Sequence, residues 1–160
     1  MSNLEFFKAC WNNELNATVS IFKALPNDKL DYKPHDINRT AYEIVEHLVG
    51  HAVDLVTIAS SGSCDETLTY NFSNVEEAAA AYQNKSDELM QILNSLSDDQ
   101  WENEDVELTI NTNPFITLKR SQMMWFFFFD IIHHRGQLSA YVRPMGGKNP
   151  AVYGYSADSQ

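Results

Sequence analysis

The stretch Met123 to Gln137, M-M-W-F-F-F-F-D-I-I-H-H-R-G-Q, decides how this chain folds and where its chemistry lies. Met123 to Phe129 is an unbroken run of large apolar side chains, and Asp130 stops it. At about 100° per residue, Trp125, Phe126, Phe127, Phe128 and Phe129 point all round a helix axis. A bundle helix needs one apolar side. The remainder is either covered by connecting segments or forms a homodimer interface beside the core, and two-fold self-association is the preferred expectation. Asp130 in such a setting would lose several kcal/mol of solvation if left unpaired. His134 lies one helical turn further on the same side.

Outward from this stretch, apolar spacing predicts three more helices. Leu4, Phe7, Trp11, Leu15, Phe22 and Leu25 recur at three or four residues, which predicts a helix over 2–25 ended by Pro26. Thr40-Ala-Tyr-Glu43 has capping-box spacing and opens a second helix with the stripe Ile44, Leu48, Ala52, Leu55 and Ala59. A third begins after Asn74, with Val75, Ala78, Ala79, Tyr82, Leu89 and Leu96 on its apolar face. The fourth spans about 118–142 and is stopped by Pro144. Two long connectors remain. In 61–74, Leu68, Tyr70 and Phe72 alternate with polar residues, which is weak strand patterning; in 97–117, Val106, Leu108 and Ile110 do the same after a short helical turn at S-D-D-Q-W. Connectors of this length are expected to cover one end of the bundle. The expected architecture is a single all-α domain over 1–160, a four-helix bundle with long connectors.

Composition sets limits. Hydrophobic residues make up 44% of the chain, which fits a globular protein. The net charge of -11 argues against a nucleic-acid partner, because no basic stripe exists to displace counterions. The apolar run before Asp130 is too short to span a bilayer, so no membrane partner is expected. The first residues, M-S-N-L-E-F-F-K-A-C, show no basic segment or cleavage site, so a cytoplasmic location is the expectation. Cys10 and Cys64 have no metal-like spacing and are expected as reduced, partly buried thiols.

Three partners are open to Asp130: a histidine of its own helix, a residue of another helix, or a metal ion. His47 on the second helix can face the same core. Two imidazoles and one carboxylate suit zinc, nickel, iron or manganese better than calcium or magnesium. Three protein ligands would leave positions for water or substrate. An Asp–His pair spaced i to i+4 is as a rule a hydrogen-bonded or ionic pair, so spacing alone leaves the choice open.

His133 to Gly154, H-H-R-G-Q-L-S-A-Y-V-R-P-M-G-G-K-N-P-A-V-Y-G, and Thr40 to Leu48, T-A-Y-E-I-V-E-H-L, resemble the DinB/YfiT-like family of four-helix metalloproteins. The resemblance implies a bundle of up-down-down-up order, with the 61–74 connector crossing between the second and third helices. It implies a divalent transition metal, zinc or nickel first and iron or manganese next, held by His47, Asp130 and His134. Asp130 stands where the family pattern H-x-x-x-H has its first histidine. It also implies dimers, and relatives that use low-molecular-weight thiols in transferase or isomerase reactions. The expected function is a metal-dependent S-transferase acting with such a thiol, or a hydrolase. The alternative is a non-catalytic, stress-related binding or scaffold dimer with a weakened or lost metal site. A weaker third reading, from the two-histidine, one-carboxylate set, is an iron-dependent oxygenase.

Neighbouring residues carry smaller expectations. His51 is read first as a rim histidine, otherwise as a fourth ligand or proton shuttle. His133 is read as an outer partner of the site or of another helix. Arg135 is read as bonding near Asp130 or to a backbone carbonyl, otherwise as an anion site. Gly136 is read as a close-packing position, and His35 as solvent-exposed.

Overall fold

The computed structural model describes residues 1–158. Helix α1 (Asn3–Lys23) starts at Ser2, whose hydroxyl accepts from the Glu5 amide at 3.3 Å, and it buries Leu4, Phe7, Trp11, Ile21 and Phe22. Helix α2 (Ala41–Ser60) opens on the expected capping box. The Glu43 amide donates to Thr40 Oγ1 at 3.2 Å, and the Thr40 amide donates to Glu43 Oε2 at 2.7 Å. Two of the free N–H groups at the helix start are thereby satisfied, worth about 1 kcal/mol per good cap. Helix α3 (Val75–Leu93) is capped by Asn74, which accepts from the Glu77 amide at 2.8 Å. A short helix α4 (Asp98–Asn103) has its own capping box, Ser97 with Gln100. Helix α5 (Arg120–Val142) carries the aromatic run.

Helix α1 packs on α3 and α5, and α2 packs on the same two, so α1 and α2 occupy opposite corners of the helical assembly. The apolar stripe predicted for α2 is fully inside: Ile44, Leu48, Ala52, Leu55 and Ala59 are all buried. Burying a Leu or Ile contributes about 1.5–3 kcal/mol each before the entropy of ordering is counted. Along the α1–α5 seam Phe7 meets Trp125 edge-on at 5.1 Å and Phe128 at 5.6 Å. Trp101 of α4 closes on Phe7 at 5.1 Å, and its indole N–H donates to Asn3 Oδ1 at 3.3 Å. No helix among the described residues is long and apolar enough to cross a membrane.

The all-α expectation is corrected by a small sheet of order β1-β2-β3. Strand β1 (Ser63–Asp65) pairs parallel with β2 (Asp105–Ile110), Cys64 opposite Leu108. Strand β2 pairs antiparallel with β3 (Asn113–Lys119). The β2–β3 turn places Asn111 and Thr112 at φ 50° and 63°, the left-handed geometry that matches strand twist in tight hairpins. The β2 alternation was readable, since Val106 and Leu108 are buried while Asp105 and Glu107 are exposed. The alternation at Leu68, Tyr70 and Phe72 forms no strand. There the amides of Tyr70 and Phe72 are taken by α2 side chains, Glu46 Oε1 at 3.0 Å and Tyr42 Oη at 3.4 Å. The connector thus runs along α2, and Gly50 permits it: a Cβ on Gly50 would lie 2.7 Å from the Thr67 carbonyl oxygen.

Candidate metal centre

His47 and His51 are one turn apart on α2, and Asp130 and His134 one turn apart on α5, so the packing of α2 against α5 brings both pairs together. One oxygen, Asp130 Oδ2, is met by His51 Nε2 at 2.9 Å, His47 Nε2 at 3.1 Å and His134 Nε2 at 3.3 Å. The His47 ring lies 4.0 Å from that of His51 and 4.6 Å, edge-on, from that of His134. His51 also packs edge-on against Phe127 at 4.6 Å.

The far ring nitrogens are engaged too. His51 Nδ1 faces Asp54 Oδ2 at 3.3 Å, and His134 Nδ1 faces Gln137 Oε1 at 2.9 Å. Asp54 can only accept, and Gln137 accepts as placed, with its oxygen towards His134; in this arrangement each ring carries its proton on Nδ1. A neutral ring then turns the Nε2 lone pair towards the Asp130 carboxylate, and lone pair against carboxylate is repulsive. A positive charge has to intervene, either as a second proton on the ring or as a cation among the Nε2 atoms and Asp130.

Electrostatics agree with the crowding. Burial alone would raise the Asp130 carboxyl; hydrogen bonds from His134, His47 and His51 outweigh it and hold it well below the usual carboxylate range. Burial pushes the His47 imidazolium down, against a smaller opposing pull from Asp130. For His51 the burial effect is overcome by its bonds to Asp130 and Asp54, and its pKa is raised. The Glu66 carboxyl, just past the end of β1, is raised by burial. These groups line a pocket of about 260 Å³, walled by Leu108, Ile110 and Phe115 of the hairpin and by Phe126 and Phe127 of α5. The long connectors therefore do form a wall over the cluster, as expected of them.

His47, Asp130 and His134 each offer a ligand atom within 4.8 Å of the other two. The 3.1 and 3.3 Å separations from Asp130 are close to the edge of a coordination tetrahedron, about 3.3–3.6 Å for ligand bonds of about 2.0–2.2 Å. A nitrogen-rich set with one carboxylate fits a divalent transition metal. A second group, His47, His51 and Glu66, meets the same 4.8 Å limit.

Some smaller expectations hold and others are corrected. His51 is buried, not at a rim, because the connector after α2 covers it. His133 is exposed and touches the site indirectly, through Gln137, whose Nε2 lies 2.9 Å from His133 Nε2. Arg135 turns away from Asp130 to Glu14 of α1, with a long 3.5 Å contact to the Glu14 carbonyl as the backbone part of that expectation. A Cβ on Gly136 would meet nothing within 4 Å, so close packing does not explain it. His35 is exposed, as expected. Both cysteines are free, and burial pushes the Cys64 thiol up to about 12, so it is no nucleophile at neutral pH. Asp54, Glu66 and Gln137 were not singled out by sequence reasoning. Asp54 had a signal, lying three residues after His51 on one helix face.

The DinB family model matches residues 1–160. Among solved structures, the DinB-like protein YjoA from Bacillus subtilis superposes with a TM-score of 0.72 at 17% identity, covering 94% of this chain and 99% of that one. At that identity the likeness concerns the fold. No curated protein matches the chain.

Proposed function

The chain belongs to the DinB family, and from that premise we propose that it binds one divalent transition metal ion through His47, Asp130 and His134, with His51 beside them. Zinc and nickel head the choice, followed by iron and manganese. The observation that carries this reading is the pair of rings, His51 and His134, whose Nδ1 atoms are held by Asp54 and Gln137 while their Nε2 atoms converge on one carboxylate oxygen. The proposed activity is S-transfer with a low-molecular-weight thiol, or hydrolysis. When bound, the ion would lower the pKa of a thiol or water and supply a nucleophile near neutral pH. Asp54 and Gln137 fix the ring orientations. Phe115, Phe126 and Phe127 give the pocket apolar walls that limit bulk water, while Asp130 keeps 35% of its side chain exposed, so a small molecule can reach the cluster.

Metal analysis of protein purified without an affinity tag tests the reading. About one equivalent of metal is expected, and His134→Ala is expected to weaken binding by at least about 100-fold, close to 2.7 kcal/mol. No uptake after incubation with zinc, nickel, iron or manganese would overturn it.

A second reading, a non-catalytic binding or scaffold homodimer, is favoured by a different surface. Phe6 and Phe129 are 53% and 61% exposed beside an open apolar groove of about 570 Å³ between α1 and α5. A homodimer through this face is compatible with both readings. A chain that takes up no metal yet sediments as a dimer is the second reading alone.

A further inference from the structure

We propose that Glu66 is a second carboxylate ligand of the ion held at His47 and Asp130, delivered to it by the β1 strand. This rests on the metal reading above and goes beyond its ligand set. A Glu66 carboxylate oxygen and one ring nitrogen each of His47 and His51 lie within 4.8 Å of one another. This group shares His47 with the group of His47, Asp130 and His134, so the two meet at one imidazole. Glu66 lines the same pocket and is half-buried there; among the described residues its carboxylate has no hydrogen-bond donor, and His51 and Arg39, which line the pocket with it, act on it only through space. Arg39 and His51 offset part of the burial cost of this carboxylate, and an ion bound directly to it would offset more.

The backbone around Glu66 is held on every side, unlike that of an ordinary connector. Its own amide donates to the Thr109 carbonyl at 2.8 Å. The preceding Asp65 carboxylate accepts from the Thr112 amide at 3.0 Å and from Thr109 Oγ1. The following Thr67 amide donates to Asp54 Oδ1 at 3.0 Å, and Asp54 is the residue that orients His51. Gly50, next to His51, leaves room for the Thr67 carbonyl, which a Cβ would meet at 2.7 Å. One buried carboxylate thus sets both His51 and the chain that carries Glu66. A surface carboxylate needs no such register; a metal ligand does.

The chemical consequence concerns which ion is preferred. Two carboxylates with two or three imidazoles favour ions that accept five or six ligands, nickel, iron(II) or manganese, over four-coordinate zinc. The test compares wild type, Glu66→Gln and Glu66→Asp by titration with nickel and with zinc, and by the visible spectrum of the cobalt(II) form. Glu66→Asp keeps the charge and shortens the reach, so it separates ligation from simple attraction. In both variants nickel affinity is expected to fall by at least about tenfold, zinc affinity by less, and the cobalt bands to strengthen as the coordination number drops. Nickel affinity and cobalt bands equal to wild type in both variants would overturn the inference and leave the metal reading intact. A loss in Glu66→Gln alone would mean attraction without ligation, which also overturns it. A wild type that takes up no metal would remove both.

Discussion

Helix α5 carries two charged clusters, one at Asp130 and one at Arg135, and they are built on opposite principles. Arg135, buried at 3% exposure, donates to the Glu14 carboxylate and to the Tyr153 hydroxyl, while its guanidinium lies 5.2 Å from the Tyr153 ring centre. The Tyr153 hydroxyl in turn donates to Glu14 Oε2 at 2.7 Å. One cation meets one anion, and that cluster is complete within the protein. At Asp130 one carboxylate oxygen is met by three imidazoles, two of them with their outer nitrogens already committed. This cluster balances when a proton or an ion is added. Buried charge alone does not mark a functional site; a surplus of lone pairs aimed at one point does.

The largest test of the contrast is Arg135→Ala. It would leave the Glu14 carboxylate, 14% exposed, without its cation. Breaking a buried pair in this way costs about 3–5 kcal/mol. Urea denaturation should show a loss of that size, and an unchanged midpoint would make the Arg135 cluster no structural element at all. Asp130→Ala should act in the other currency. Metal affinity is expected to fall by at least about 100-fold, near 2.7 kcal/mol, while metal-free stability falls by less than in Arg135→Ala. Equal stability losses in the two variants would erase the distinction drawn between the clusters.

The smallest effect is in pH. Burial alone would lower the His51 pKa, but Asp130 and Asp54 raise it above its unfolded value, near pH 6.5. Such a group adds stability that is full below the unfolded pKa and is lost as pH rises through the folded one. In metal-free protein, the denaturation midpoint of wild type should therefore exceed that of His51→Gln most below about pH 6.5, and the gap should narrow above it. Asp130 works in the opposite sense: its lowered carboxyl supplies stability present above about pH 4 and lost as pH falls through the folded value. A His51→Gln gap that shrinks as pH falls below about 6.5 would mean that His51 stays neutral in the folded protein, and would sharpen the case for a metal as the missing positive charge.

The long helices were legible because their signals are local. Apolar spacing and the caps at Thr40 and Asn74 depend on residues within a turn or two of one another. Asp130 and His134 were legible as a pair for the same reason, while joining His47 to them took the packing of a bundle core and the family resemblance, because that contact spans 83 residues. The sheet was much less so. Residues 113–117 of β3 are all exposed, so no burial alternation exists to be read there. Strand β1 is three residues of polar or small type, defined by its distant partner β2. The burial of His51 was missed with it, because what covers His51 is the connector and not its own helix. Glu66 was invisible for that reason as well: its place depends on Gly50, Asp54 and Thr109, and no local pattern links them.

The parallel pairing of β1 with β2 also makes part of the candidate site depend on contacts distant along the chain. Parallel strands cannot be joined by a tight turn, and here the whole of α3 and α4 lies between them. Contacts so distant along the chain carry a large closure entropy and favour late formation, after nearer elements have met. The contact of His47 with Asp130 spans 83 residues, further than the separation of β1 from β2, so by the same reasoning it also belongs among the late contacts. The imidazoles, Asp130 and the chain that carries Glu66 would then come together in one late stage of folding, after the local helices have formed.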